Sequence, residues 1–358
     1  MSKEKFHSFD ALRFFSFLIV FVSHVPFYLF SKNELLSING VLGVDFFFVL
    51  SGFLITYILL TEKEQFGKIN FKKFFIRRIL RIWPMYYAVL LFAFLTPTIL
   101  SFLGIIPSNE GYEPNWLWSC LFLENYQMIH QHAIPNVSPL PVIWSLCVEE
   151  HFYIIWGIII SLIAIKQLPK VMAILLLITS VSRILFLKNE WFFFDILTNL
   201  DFFMYGAFPA YLLVKQKQKL LKRIQSISAK IKWAIVLTAI LYVFASYQLH
   251  YGLKELIEPV IIGILFSLVI FIFLPKENQF KISANSVFSK WGIYTYSLYL
   301  NHLIIINLMI QIFKFYNITY NGYLVVFILA CLLLTLVSSF VTYHLIEKPF
   351  LRLKKYFY

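Results

Sequence analysis

The apolar positions of this chain fall in long blocks, unlike the alternation of a half-buried strand or the one-sided stripe of a soluble helix. Each block runs for roughly 17 to 25 residues, enough for a helix to cross a hydrocarbon layer of about 30 Å. The blocks predict membrane-spanning helices at about 11–30, 41–60, 79–100, 143–165, 169–187, 198–214, 233–250, 256–274, 292–313 and 322–346. The segment 198–214 carries the weakest signal, being short and holding Asp201, Gly206 and Pro209. Interior Gly and Pro are tolerated where neighbouring helices satisfy the backbone. The expected fold is all-α: a polytopic transmembrane helix bundle of about ten helices, one domain over 1–358, with little chain left for a soluble unit.

Composition gives the same class. A chain that is 60% hydrophobic and 14% charged has more apolar side chain than one water-soluble core encloses. A net charge of +13 would suit nucleic acid, but its placement assigns it to topology instead. With the N-terminus set in the cytoplasm, segments 1–13, 61–81, 166–170, 215–232, 275–290 and 348–358 hold 26 of the 31 Lys and Arg. The opposite side holds Lys32, Arg183, Lys188, Lys254 and Lys314. This is the positive-inside pattern, and an even number of spans then puts both termini in the cytoplasm. Lys3 and Lys5 precede an apolar stretch as in a signal peptide, yet no small-residue cleavage site follows, so the stretch reads as a retained span. Cys120, Cys147 and Cys331 show neither zinc spacing nor a disulfide framework.

Between the blocks, the loop at about 101–142 holds Pro107, Pro114, Pro135, Pro139 and Pro141 and reads as a folded, substrate-facing lid too small to be a catalytic domain. The basic stretch from Lys215 to Trp233 reads as amphipathic and lying on the anionic inner leaflet. No internal repeat is visible, which counts against a secondary transporter.

Ionisable residues inside the spans carry the candidate chemistry, because each costs about 2.5–3.5 kcal/mol to insert. Arg13 and His24 in the first span are eleven residues apart; three helical turns put them on one face, roughly 16 Å apart. Asp10, one turn before Arg13, is its natural ion-pair partner. A snorkelling arginine and a packing histidine are the plain alternatives. In the second span Asp45 and Gly52 share a face, and Ser51 with Gly52 admits a close neighbour; Asp45 would orient His24 or pair with a cation on another helix. Arg77, Arg78 and Arg81 open the third span, Arg78 and Arg81 side by side at i, i+3 and suited to phosphate oxygens, or else simple interfacial anchors. The fourth span places Glu149 one turn from Ser145, with Glu150 and His151 adjacent; Glu149 would bind an acceptor or support a histidine. Tyr299 and His302 share a face of the ninth span, as acceptor-binding or acid–base candidates or as packing residues.

Taken in order, FDALRFFSFLIVFVSH, GVDFFFVLSGFLIT, RRILRIWP, WSLCVEEHFY, YSLYLNH and the closing IEKPF resemble the acyltransferase-3 family of membrane acyltransferases. The family's Arg, ten residues, His pattern falls on Arg13 and His24, and its Arg-x-x-Arg pattern on Arg78 and Arg81, with Arg77 ahead of them. The resemblance implies that His24 is the catalytic base and that the arginines receive an acyl-CoA, acetyl-CoA by default, from the cytoplasm. The acceptor it implies is a hydroxyl of a cell-surface polysaccharide or lipid-linked glycan, handled at a bacterial cytoplasmic membrane, with no tightly bound cofactor and no metal. Many relatives carry a further secreted-side domain, whereas this chain stops eleven residues after Glu347, as expected of a membrane-only form.

A neutral imidazole suits the removal of an alcohol proton during attack on a thioester. A covalent route through His24 or Ser51 stands beside direct transfer. Two readings from other classes remain: a transporter or flippase of a polysaccharide intermediate, whose path the buried charges would line, and a sensory membrane protein that has lost catalysis.

Overall fold

The computed structural model describes residues 6–30, 38–102, 104, 110–275, 279–320 and 322–357. Lys3, Lys5, Lys32, Pro107 and Lys276 lie outside the described residues. The chain forms α1 (His7–Ser23), the short α2 (Phe27–Phe30), α3 (Val41–Phe66), α4 (Phe71–Phe102), the loop helices α5 (Trp116–Cys120) and α6 (Glu124–Gln131), and α7 (Trp144–Leu162). It continues through α8 (Leu168–Lys188), α9 (Ile196–Ser226), α10 (Ala229–Ala245), α11 (Lys254–Phe273), the short α12 (Val287–Gly292), α13 (Thr295–Phe315), α14 (Leu324–Thr342) and α15 (Lys348–Leu353). No β-strand forms among the described residues; Tyr112 and Pro135 make an isolated bridge.

Among the described residues, eight helical segments are long and apolar enough to cross a bilayer: Val41–Phe66, Phe71–Phe102, Leu140–Leu162, Ile165–Lys188, Ala229–Gln248, Lys254–Phe273, Thr295–Phe315 and Leu324–Phe357. The other two predicted spans are helical but differ from expectation. α1 is 17 residues long and ends at Ser23, so His24 caps it instead of lying within it. Pro26 explains the early stop, since it lacks an N–H and keeps the preceding residue out of helical geometry. α9 absorbs both the weak 198–214 segment and the start of the basic stretch, over 31 residues with a backbone break at Gln216 (φ −139°, ψ 39°). Apolar and basic halves are thereby one bent helix.

The centre of the bundle is the crossing of α3 and α9, which glycine makes possible. A Cβ on Gly206 would sit 1.8 Å from the carbonyl oxygen of Val49, and one on Gly52 would sit 2.1 Å from that of Phe203. Backbone therefore meets backbone, as in close-packed membrane helices. α3 is apolar around its circumference because it is enclosed around its circumference, with Leu42, Val49, Phe53, Ile55 and Leu60 all nearly inaccessible. A second cluster joins α1 to α13 and α14 through Phe14, Phe17, Phe21, Leu298, Ile306 and Phe327. Outer helices instead present Leu177, Leu241, Leu329 and Leu333 outward, the surface a lipid solvent requires.

Two charged groups in the interior show how such residues are accommodated. Arg183 on α8 binds Asp201 on α9 through both carboxylate oxygens, at 2.5 and 2.9 Å, beneath the ring of Phe202. That pair explains a charge in the weakest predicted span: Asp201 is tolerated because Arg183 neutralises it. Lys63 at the end of α3 donates to the carbonyls of Ile160, Ser161 and Ile163 at 2.6, 3.0 and 2.7 Å, satisfying the last turn of α7.

Candidate active site

Residues of α1, α3, α4, α7 and α13 enclose a cavity of about 760 Å³, its open mouth included, lined by Arg13, Ser51, Arg78, Arg81, Ser145, Glu149, Tyr153, Thr295, Tyr296 and Tyr299 between apolar walls. Three guanidinium groups occupy one end. Arg13 is held by Asp10 at 3.0 Å. Arg78 lies over the rings of Phe74 and Tyr153, 5.8 and 5.4 Å from their centroids, a stacking that leaves the edge of the guanidinium open to a ligand. Neither Arg78 nor Arg81 makes an ion pair among the described residues. Glu347, buried where α14 widens into a looser turn before α15, accepts from Ser297 and is an electrostatic neighbour of Arg81.

Arg77 belongs elsewhere. Its Nη1 donates to the carbonyl of Phe357 at 2.7 Å and its Nη2 lies 3.6 Å from Glu62, so it ties α4 to α3 and to the C-terminal turn and does not line the cavity. Adjacent positions on a helix point about 100° apart, which is why Arg77 and Arg78 part company.

The middle of the cavity is a seam between α3 and α7. Ser51 and Tyr153 both donate to Oε1 of Glu149, and further along the same seam Trp156 donates to Thr56 at 2.7 Å. Glu149 therefore meets hydroxyls, not a histidine. At the far end the hydroxyls of Ser145 and Tyr299 lie 2.7 Å apart and converge on the carbonyl of Val142.

The two histidines stand behind this end and not in the cavity wall. His302 is fully buried, with Nδ1 2.6 Å from the carbonyl of Tyr299 and Nε2 3.3 Å from Nδ1 of His24. His24 is half-buried at the end of α1. Asn301 faces α14, donating to Thr342 at 3.0 Å.

The structure thus gathers Arg13, Arg78, Arg81, Ser51, Glu149 and Tyr299 around one cavity and sets His24 with His302 beside it. Asp45 lies apart from both. It is buried, with Oδ1 unpartnered among the described residues, and its electrostatic neighbours are Arg183, Asp201 and Glu258; it therefore does not orient His24. Tyr153, Thr295 and Tyr296 were not singled out from the sequence. Tyr153 had a signal, one helical turn from Glu149; Thr295 and Tyr296 had none that separates them from the chain's many interfacial aromatics and hydroxyls.

The chain is similar to the peptidoglycan O-acetyltransferase OatA of Listeria monocytogenes, at 37% identity over 161 residues, 43% of this chain and 24% of that protein. A provisionally named peptidoglycan O-acetyltransferase of Bacillus subtilis, YrhL, is 30% identical over 185 residues, 49% of this chain and 27% of its own. A provisionally named O-acetyltransferase of Staphylococcus aureus is 27% identical over 364 residues, 95% of this chain and 56% of its own. The chain thus spans about half, or less, of the length of the curated relatives it matches. No solved structure matches it. The family model for the acyltransferase domain matches residues 6–344, and with that match the chain belongs to the acyltransferase-3 family.

Proposed function

We propose that this protein is a membrane-bound O-acetyltransferase of a bacterial cytoplasmic membrane that moves an acetyl group from acetyl-CoA to a hydroxyl of a cell-envelope glycan. Peptidoglycan, named in two of the relatives, is the acceptor to test first. The observation that carries the reading is the convergence of Arg13, Arg78 and Arg81, from two helices, on one end of the cavity. Arg13 is paired with Asp10, whereas Arg78 and Arg81 make no ion pair among the described residues, and guanidinium groups without carboxylate partners suit the phosphates of an anionic donor.

In this reading the donor's phosphates lie against Arg78, Arg81 and Arg13, with Asp10 fixing Arg13. Its pantetheine arm follows the cavity past Ser51, Glu149 and Tyr153 towards Tyr299. His24, half-buried and outside the cavity wall, meets the acceptor hydroxyl from the other side. Its Nε2 takes the hydroxyl proton as the oxygen adds to the thioester carbonyl; the tetrahedral intermediate then collapses, the C–S bond breaks, and the departing thiolate receives that proton. General base catalysis of this kind contributes about 10²- to 10⁴-fold.

The test is purified protein in liposomes with labelled acetyl-CoA and a glycan acceptor. His24→Ala is expected to lose transfer by about 10²-fold or more while still binding donor. Undiminished transfer by that variant would overturn the assignment of the base.

A further inference from the structure

We propose that His302 is a positioning residue, which holds the ring of His24 in the tautomer that acts as a base and stabilises its charge once the proton has moved. The inference rests on the reading of His24 as base and adds what makes it one.

The argument follows from where each hydrogen must be. A carbonyl oxygen only accepts, so the 2.6 Å approach of His302 Nδ1 to the Tyr299 carbonyl puts the hydrogen on that nitrogen and the lone pair on Nε2. His24 Nδ1 in turn lies 2.8 Å from the carbonyl of Val20 and 3.3 Å from the lone pair of His302 Nε2. It therefore carries a hydrogen shared between two acceptors. The opposite tautomer would set a lone pair of His24 against a carbonyl and a second imidazole lone pair together. What remains is His24 Nε2, unprotonated and turned away from the pair.

Helix geometry fixes both contacts. Val20 offers one of the last carbonyls of α1, which also accepts from the Ser23 hydroxyl at 2.8 Å and from the backbone N–H of His24 at 3.3 Å, and His302 reaches back one turn of α13 to Tyr299. The ring of His302 is wedged between Phe17 and Tyr299, 6.1 and 5.8 Å from their centroids, and 5.0 Å from that of His24. With no accessible surface, His302 touches no substrate and acts through His24 alone. When His24 takes the acceptor's proton, its Nδ1–H becomes a charge-assisted donor to the same two acceptors.

Two variants and one spectrum test this. His302→Phe keeps the shape and removes the acceptor; His302→Gln keeps a side-chain oxygen where Nε2 was. The expected result is a fall in kcat of about 10²-fold for His302→Phe, with KM for acetyl-CoA within about twofold, and recovery by His302→Gln to about tenfold below wild type. A wild-type kcat in His302→Phe, or equal loss in both variants, would overturn the proposal. Should His302→Phe not fold, the ¹⁵N spectrum of histidine-labelled wild-type protein decides: His24 must show Nδ1 protonated and Nε2 bare, and the reverse is fatal. If His24→Ala still transfers acetyl, the base assignment itself falls; if only His302→Phe is fully active, this inference alone does.

Discussion

The hydroxyl of Ser51 on α3 donates to Oε1 of Glu149 on α7, 98 positions away in the chain, and Tyr153 donates to the same oxygen. Oε2 of Glu149 makes no hydrogen bond among the described residues, yet Glu149 lines the cavity. One carboxylate oxygen thus holds the helix seam while the other is free for a ligand. Glu149→Gln preserves an acceptor for both hydroxyls, so its melting temperature in detergent should stay near wild type while acetyl transfer falls by about tenfold. Glu149→Leu leaves two hydroxyls without an acceptor and is expected to lose about 2–4 kcal/mol of stability as well. Equal melting temperatures for the two variants would refute this division of labour.

The arginines should separate in kinetics. Arg78→Ala and Arg81→Ala are expected to raise KM for acetyl-CoA by about 10- to 100-fold and to leave KM for acetyl-pantetheine, which lacks the nucleotide phosphates, unchanged. Arg77→Ala, which removes contacts that include Glu62 and the Phe357 carbonyl, should instead lower the melting temperature with little change in either KM. An Arg77→Ala effect confined to KM for acetyl-CoA would place Arg77 in the donor site after all.

Gly206 is the most stringent position in the core. An added methyl would meet the Val49 carbonyl at 1.8 Å and the Phe53 nitrogen at 2.8 Å, both rigid backbone atoms, so α3 and α9 would have to separate along their length. Gly206→Ala should abolish recovery of monodisperse protein from detergent. Gly252→Ala, where nothing lies within 4 Å, is the matched control and should purify normally.

Glu124 on α6, between spans, gives a dependence on pH. Burial raises its carboxyl above the ordinary value of 4.5, against the opposing hydrogen bonds from Ser119 and Tyr112. The folded state then holds this proton more tightly than the unfolded chain. The contribution is complete below pH 4.5 and lost as pH rises from there through the raised value. Glu124→Gln keeps the shape without the charge, so it should melt higher than wild type at neutral pH and flatten the slope across that window. A wild-type slope of opposite sign, unchanged in the variant, would show that Glu124 is not its source.

The solvent, the helical class and the approximate spans were legible because lipid demands long apolar runs and tolerates few charges. The order of motifs also led to Arg13, His24, Arg78 and Arg81. Asp201 is visible in the sequence as an anomaly, but its partner Arg183 reads only as one of the few charges on the non-cytoplasmic side, since a membrane charge in sequence does not reveal whether it faces lipid, water or another charge.

What the sequence by itself determined, then, is the helical class and the approximate course of most of the long apolar helices along the chain. Tertiary structure decided which face each helix turns inward. In a soluble helix the apolar stripe marks that face, but here lipid and core are equally apolar, so periodicity is nearly silent. Packing alone separates Arg78 from Arg77, brings Ser51 to Glu149, and places His302 3.3 Å from His24 across 278 residues of chain.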